Sequence, residues 1–325
     1  MNQTDSKWNV IHGDAVEESQ AIPDNSVDFT IFSPPFSQLY IYTDLPEDMG
    51  NCESNEEFFE HFGYLVPELY RITTPGRLCA VHCKDLPRYY GSDGAAALQD
   101  FPGQLIAIME KHGWAFHSRV TIWKCPVTER ERTNNNGLLH KTVMRDSSQI
   151  RMGMADYLIV FRKTPAESMT GETPIIREGG FDRWIGDPNL DPRVIDTHPS
   201  KFARKGKNGN TSVELWRRYA EPVWWDIDQT DVLNHEMAKT AHDEKHICPL
   251  QIGLIRRAMY LWSEPGDLVF SPFAGIGSEG VVAIEEGRRF LGIELNTGYH
   301  KHACNHLRIA TEVATQGNLF QATEE

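Results

Sequence analysis

The stretch "DLVFSPFAGIGSEGVVAIEEGRRFLGIEL", Asp267 to Leu295, reads as a strand, a glycine loop, a helix and a second strand. Leu268-Val269-Phe270 is a short apolar run, and "VVAIEEG" is an apolar helix stopped by Gly287. Glycines at 275 and 277 let the backbone turn tightly and approach a ligand closely, at the positive end of the helix that follows. Glu294 closes the second strand, where a carboxylate can accept hydrogen bonds from two ribose hydroxyls. Gly275 to Gly280 also satisfies G-x-G-x-x-G. Taken alone, this unit suits a nicotinamide or flavin cofactor, another adenosine-bearing cofactor, or a structural turn with no ligand.

A second stretch, "DFTIFSPPFSQLY" from Asp28 to Tyr40, begins as a buried strand and stops at two prolines. Pro34 and Pro35 remove two backbone donors and fix two φ angles, so neither strand nor helix continues. The turn holds the Ser33 side-chain oxygen and a backbone carbonyl in fixed positions, with aromatic Phe36 next to them. Two converging acceptors beside a ring face can grip an NH₂ group on a flat ring. A plain strand-ending turn explains the tetrapeptide equally well when it is taken by itself.

Around these two stretches the pattern is α/β. "WNVIHGDA" reads as a strand ending at Gly13-Asp14, and "AVEESQAIP" as a short helix or turn. Glu56 to Tyr70 repeats apolar residues at helical spacing, with Pro67 expected to kink or break it. "DFPGQLIAIMEKHGW" is a helix closed by Gly113; "TTPGRLCAVHC", "AFHSRVTIWK" and "DYLIVFRK" read as strands. The long connection between the last two is of the length that is usually functional or disordered. "PLQIGLIRRAMYLW" is a helix with Pro249 in its first turn. Thr164 to Lys245 loses periodicity and reads as a separate loop-rich lobe, which divides the chain into 1–163, 164–245 and 246–325.

The 325 residues, 40% hydrophobic and 24% charged, suit one large α/β core with an inserted lobe. No apolar run approaches the length of a membrane span and no signal peptide is evident, so a cytoplasmic protein without a membrane partner is expected. The six cysteines form no C-x-x-C pair; Cys79 and Cys83 are expected to be buried thiols, His82 a satisfied core histidine, and no metal site is expected. A net charge of −14 argues against nonspecific affinity for polyanions. Its distribution is uneven, however. Lys201–Ala220 carries six basic residues against one acid, and Arg119–Arg151 seven against three. Arg130, Arg132, Lys141, Lys201, Arg204, Lys205 and Lys207 are therefore candidate phosphate contacts.

Taken together, the glycine loop and Ser-Pro-Pro-Phe resemble the β-group (permuted) DNA amino-methyltransferases that use S-adenosylmethionine. In that order [DNS]-P-P-[YFW] precedes the cofactor loop. The resemblance covers residues 8–163 and 246–304, including "HGDA", "SVDFTIFSPPF", "PGRL", "DYLIVFRK", "PGDLVFSPFAGIGS", "GRRFLGIEL" and Tyr299. It implies a Rossmann-like seven-stranded sheet with helices on both faces, and a target-recognition insertion over 164–245. It also implies that Ser33, Pro34, Pro35 and Phe36 form the catalytic loop, with Tyr40 and Tyr42 as further candidates to pack around the base. Ser271, Phe273, Ala274, Gly275, Gly277 and Ser278 would cradle the cofactor, with Glu294 on its ribose and Asp14 on the adenine amino group. His246 and Pro249 would begin its helix. The family's usual Asp before Pro-Phe is Ser271 here, and its usual Thr after the glycines is Ser278.

The implied partner is double-stranded DNA, bound by a monomer or homodimer, with room for a cognate restriction enzyme. Ser at the first catalytic position goes more often with cytosine N4 than with adenine N6, so cytosine N4 is favoured. RNA or a protein side-chain amide is a further substrate class for such a loop. The rivals are a nicotinamide-dependent oxidoreductase, for which Ser33 has no use, and a catalytically silent DNA-binding homologue. Calorimetric titration with S-adenosylhomocysteine separates them.

Overall fold

The structure, a computed structural model, describes residues 3–4, 7–35, 43, 45, 47–88, 97–133, 136–164, 216–233 and 250–321. Strands are β1 (Gln3–Thr4), β2 (Trp8–His12), β3 (Val27–Phe32), β4 (Thr73–Lys84), β5 (Leu86–Arg88), β6 (Ala97–Gln99), β7 (Trp114–Ile122), β8 (Asp156–Lys163), β9 (Val223–Trp224), β10 (Leu268–Ser271) and β11 (Arg289–Glu294). Helices are α1 (Ala15–Ser19), α2 (Asn55–Ile72), α3 (Phe101–Lys111), α4 (Pro126–Thr133), α5 (His140–Arg145), α6 (Ile252–Trp262), α7 (Ser278–Glu285) and α8 (Thr297–Gln321).

One sheet runs β1-β2-β11-β10-β3-β4-β8-β7-β9. Its inner seven strands are the sheet the resemblance implies; a two-residue strand extends each edge. From β2 to β4 neighbours are parallel, whereas β8 is antiparallel to both β4 and β7. Alternating residues build the core on both faces. On one face Ile31, Ala80, Leu158, Val160, Val120 and Ile122 pack with α6, α7 and α8. On the other, Phe32, Val81, Ile159 and Phe161 pack with α2 and α3.

Chain order reverses between β10 and β3. From β3 the chain crosses through α2 to β4 on one side, and from β10 through α7 to β11 on the other. This is a topological switch point, where open α/β sheets leave a crevice beyond the carboxyl ends of their strands. The Ser-Pro-Pro turn and the glycine loop both lie there.

Two expectations are revised. Pro67 does not break α2, which runs unbroken from Asn55 to Ile72. The proline sits on the exposed side, while Phe58, Phe62, Leu65, Val66, Leu69 and Ile72 line the buried side and hold the helix to the sheet. A capping box steadies its start: Ser54 accepts from the Glu57 amide at 3.1 Å and Glu57 from the Glu53 amide at 2.6 Å. Second, the stretch expected to separate β7 from β8 as a long loop folds into α4 and α5.

Within 164–245, residues 216–233 pack on the sheet. β9 pairs with β7, and Trp224 is buried. Arg257 on α6 grips Asp226 through two hydrogen bonds of 2.9 and 2.8 Å, and Arg218 joins the same carboxylate.

Candidate active site

Ser33 follows β3 where Pro34 and Pro35 end the strand; Ser33 and Pro35 are half-buried and Pro34 is buried. Strand alternation puts Ser33 on the face of Ile31. His82 shares that face with Ala80 on β4, as does Asp156 with Leu158 on β8. Beyond β7, Lys124 continues the alternation of Val120 and Ile122. All four polar groups thus emerge at the same end of one sheet face, and they form a chain. Ser33 Oγ lies 2.7 Å from His82 Nδ1, His82 Nε2 3.1 Å from Asp156 Oδ2, and Lys124 Nζ 2.7 Å from that same oxygen.

The side chains of His82, Asp156 and Lys124 are 12%, 9% and 3% exposed, so little water weakens these contacts. Burial opposes ionisation of Asp156, but the hydrogen bond from His82 and the charge of Lys124 outweigh it and hold the carboxyl well below the usual range. An ionised carboxylate only accepts, so His82 Nε2 carries a proton. In the neutral ring Nδ1 is then an acceptor, and the Ser33 hydroxyl donates to it. The free lone pairs of Ser33 Oγ are left to accept from a substrate N–H.

Across the switch point, Gly275 (φ 53°) and Gly277 (φ 89°) shape the second half of the site. Gly277 packs against the α8 backbone, where a Cβ would come within 3.2 Å of Ala303. A Cβ on Gly275 would meet none of the described residues within 4 Å, so among them the space over the loop is open. Glu294 Oε2 accepts from the Gly275 amide at 2.7 Å and Oε1 from the Asn296 amide at 2.8 Å, and each oxygen keeps lone pairs for a hydroxyl donor. Burial nonetheless pushes Glu294 up to about 7. Asp14 sits beside it, because the Gly13 amide donates to the Glu294 carbonyl at 3.2 Å. It caps α1 by accepting from Val16, and burial raises its pKa.

Phe273 is half-buried and meets Phe32 at 5.6 Å between ring centroids, tying the two halves of the site together. Ala274 and Ser278 are buried in the loop and the first turn of α7. Ser271 is fully buried at the end of β10, its hydroxyl without a hydrogen-bond partner among the described residues. It therefore supports the loop from beneath rather than lining an open surface.

Of the basic candidates, Arg130 is half-buried on α4 and Lys141 exposed on α5. Phe36, Tyr40, Tyr42, His246, Pro249, Lys201, Arg204, Lys205, Lys207 and the Arg132 side chain lie outside the described residues. Cys79 and Cys83 are buried thiols, as expected.

Four residues escaped the sequence reading of the site. His82, read as a core histidine, is the partner of Ser33, and Asp156 and Lys124 stand behind it. Only an assumed register of β3, β4, β8 and β7 could have joined them beforehand. Glu279, an unassigned position of the glycine motif, is buried in α7, and burial with Glu294 nearby pushes it up to about 8. Its signal was present: an acid inside an apolar helical run.

A doubly wound α/β sheet with a glycine loop and a Pro-Pro turn at its switch point is the frame of a cofactor-dependent enzyme. More particularly, a family model described as DNA methylase (N6_N4_Mtase) matches residues 27–305, and the chain belongs to this family. It is 23% identical over 310 residues to the DNA adenine methyltransferase YhdJ of Escherichia coli K12, covering 94% of this chain and 85% of that one. Its fold matches the PvuII DNA methyltransferase (cytosine-N4-specific) at TM-score 0.60 and 16% identity, over 96% of this chain and 93% of that one. It also matches TTHA0409 of Thermus thermophilus, described as a candidate DNA modification methylase complexed with S-adenosyl-L-methionine. There the TM-score is 0.59 and the identity 19%, over 93% of this chain and 95% of that one.

Proposed function

We propose that this DNA methylase transfers a methyl group from S-adenosyl-L-methionine to the exocyclic amino group of a base flipped out of double-stranded DNA, with cytosine N4 favoured over adenine N6. The observation that carries the reading is that Ser33 Oγ lies on the Pro-Pro turn 2.7 Å from His82 Nδ1, at the end of β3, the neighbour of the strand that leads into the glycine loop. The open space over Gly275 and the spare lone pairs of Glu294 fit the cofactor's methionine part and ribose. Asp14, next to Glu294, suits its adenine amino group. Phe273, Ala274, Gly277 and Ser278 shape the loop, Ser271 supports it, and His246 and Pro249 precede the helix beside it.

When bound, the cofactor supplies a methyl group on a positively charged sulfur. The chain's own residues prepare the amine. An exocyclic amino nitrogen is a poor nucleophile because its lone pair is delocalised into the ring. Hydrogen bonds from NH₂ to Ser33 Oγ and the Pro34 carbonyl favour a more tetrahedral nitrogen and localise that pair. They also stabilise the positive charge that develops on nitrogen. Phe36 stacks on the flipped base. Cytosine N4 is favoured because, in the family, Ser at the first catalytic position goes more often with cytosine N4. The lobe 164–245, with Lys201, Arg204, Lys205 and Lys207, is proposed to contact DNA, as are Arg130, Arg132 and Lys141.

Nucleoside mass spectrometry of DNA treated with protein and S-adenosylmethionine tests the reading. N4-methyldeoxycytidine is expected, lowered about 100-fold or more in Ser33→Ala, with S-adenosylhomocysteine affinity unchanged. N6-methyldeoxyadenosine in its place would reverse the choice of base. No methylated nucleoside on several DNAs, despite cofactor binding, would overturn the function.

A further inference from the structure

We propose that His82 is the proton acceptor of the reaction and sets the hydrogen-bonding sense of Ser33, forming with Asp156 and Lys124 a relay that runs from the substrate amine into the sheet. The inference rests on the methyltransferase reading and adds to it a route for the departing proton.

Geometry carries it. Ser33 Oγ, His82 Nδ1, His82 Nε2, Asp156 Oδ2 and Lys124 Nζ follow one another at 2.7, 3.1 and 2.7 Å, the imidazole bridging the first and last of these contacts. Both ring nitrogens are engaged, and the second is spent on the hydroxyl of the Pro-Pro turn.

Two consequences follow from the donor and acceptor inventory. With the ring neutral, Ser33 donates to Nδ1 and offers only acceptor lone pairs to the substrate, which matches an NH₂ group. With the ring protonated, Nδ1 donates to Ser33 Oγ, and the Ser33 hydroxyl turns outward as a donor that opposes NH₂ donors. A neutral His82 therefore leaves both Ser33 lone pairs to an amine, whereas a protonated one takes up one of them.

During transfer a bond forms between the amino nitrogen and the methyl carbon as the carbon–sulfur bond breaks, and that electron pair stays on sulfur. The nitrogen becomes cationic and acidic. One N–H proton passes to Ser33 Oγ while the Ser33 hydroxyl proton passes to His82 Nδ1. The product amine is left neutral and Ser33 is restored. The imidazolium is held by Asp156 until it returns the proton to solvent. The groups facing His82 are Ser33 from β3, Asp156 from β8 and, through Asp156, Lys124 beyond β7. Lys124 shares the carboxylate oxygen and helps to keep it ionised.

The test compares wild type, His82→Ala and His82→Asn. An asparagine oxygen can take the place of Nδ1 and still orient Ser33, but cannot take up the proton. The wild-type pH profile of kcat is expected to carry an acidic limb. His82→Ala should lower kcat about 100-fold, with KM for DNA and S-adenosylhomocysteine affinity within about twofold. His82→Asn should recover part of kcat and lose the acidic limb. An acidic limb unchanged in His82→Asn, or full kcat in His82→Ala, would overturn the relay while the methyltransferase reading stands. A second readout needs no activity: ¹⁵N NMR of the full chain should find His82 protonated at Nε2, with an Nδ1 resonance that moves in Ser33→Ala. A ring protonated at Nδ1 alone would overturn the relay even if wild type transferred no methyl group, the result that separately sinks the function.

Discussion

The two halves of the switch point bury carboxyl groups to similar depth and bring them to opposite states. Behind Ser33, Asp156 has an imidazole and an ammonium within 3.1 Å and is held ionised. Behind the glycine loop, Glu294 and Glu279 have backbone amides and each other for company and are pushed up to about 7 and about 8. Burial alone raises a carboxyl pKa; a cation within hydrogen-bonding reach reverses the sign. The difference suits the two tasks. One carboxylate must stay charged to steady a histidine that takes up a proton. The loop acids stand where neutral hydroxyls are to be received, and a weakly charged acceptor there avoids a standing electrostatic penalty.

The largest effect is expected from breaking the ionised half. Asp156→Asn leaves the Lys124 ammonium buried without its counter-charge, and removal of one partner of a buried pair costs about 3–5 kcal/mol. Urea unfolding at pH 7 measures it. The sign with pH follows from the lowered carboxyl. Its stabilisation is present above the unfolded-state value of 3.8 and is lost as pH falls from there towards the lower folded-state value. Wild type should thus lose this contribution below about pH 4, and the gap between the two proteins should narrow there. A gap that stays constant down to pH 2 would mean that Asp156 is not held ionised.

A smaller effect belongs to the neutral half. Glu294→Gln keeps the size and one acceptor oxygen but gives up the other to an NH₂, which faces either the Gly275 or the Asn296 amide as a second donor. With hydrogen bonds to a charged or partly charged acceptor worth about 1.5–3 kcal/mol, S-adenosylhomocysteine should bind about 10- to 100-fold more weakly by calorimetry. Unchanged affinity would remove Glu294 from the cofactor site.

How much of this was legible depends on the range of the signal. The glycine loop, the Pro-Pro turn and the acid ending β11 are local, set by φ freedom, missing donors and strand ends, and the structure places them together at one switch point. The seven inner strands followed from apolar runs and from the resemblance. The Ser33–His82–Asp156–Lys124 chain spans residues 33 to 156 and exists only through the registers Phe32↔Val81, Lys84↔Asp156 and Ile122↔Asp156. A shift of one residue in any of them would turn a member to the other face. Pro67 was misjudged for a related reason: the buried stripe of α2 outweighs a single missing donor on the exposed side. The pairing of β9 with β7 likewise rests on two residues, too few to register in a periodic pattern.

The last effect sharpens the comparison most directly, because it uses an acid with no cation to rescue it among the described residues. Glu279 is 5% exposed at the start of α7 and is held protonated up to about pH 8 by burial and by Glu294. Unfolded, it ionises near 4.5. Between those values the unfolded chain releases a proton that the folded chain keeps, so wild-type stability from this group is full below about 4.5 and declines as pH rises to about 8. Glu279→Gln has no proton to release and is nearly the same shape. It should match wild type at pH 4.5 and exceed it by about 2 °C or more in Tm at pH 8.5, where each 1 kcal/mol shifts Tm by about 1–4 °C in a domain of this size. Equal melting at both pH values would mean that Glu279 reaches solvent or a cation after all, and the contrast between the two halves of the site would then rest on Glu294 alone.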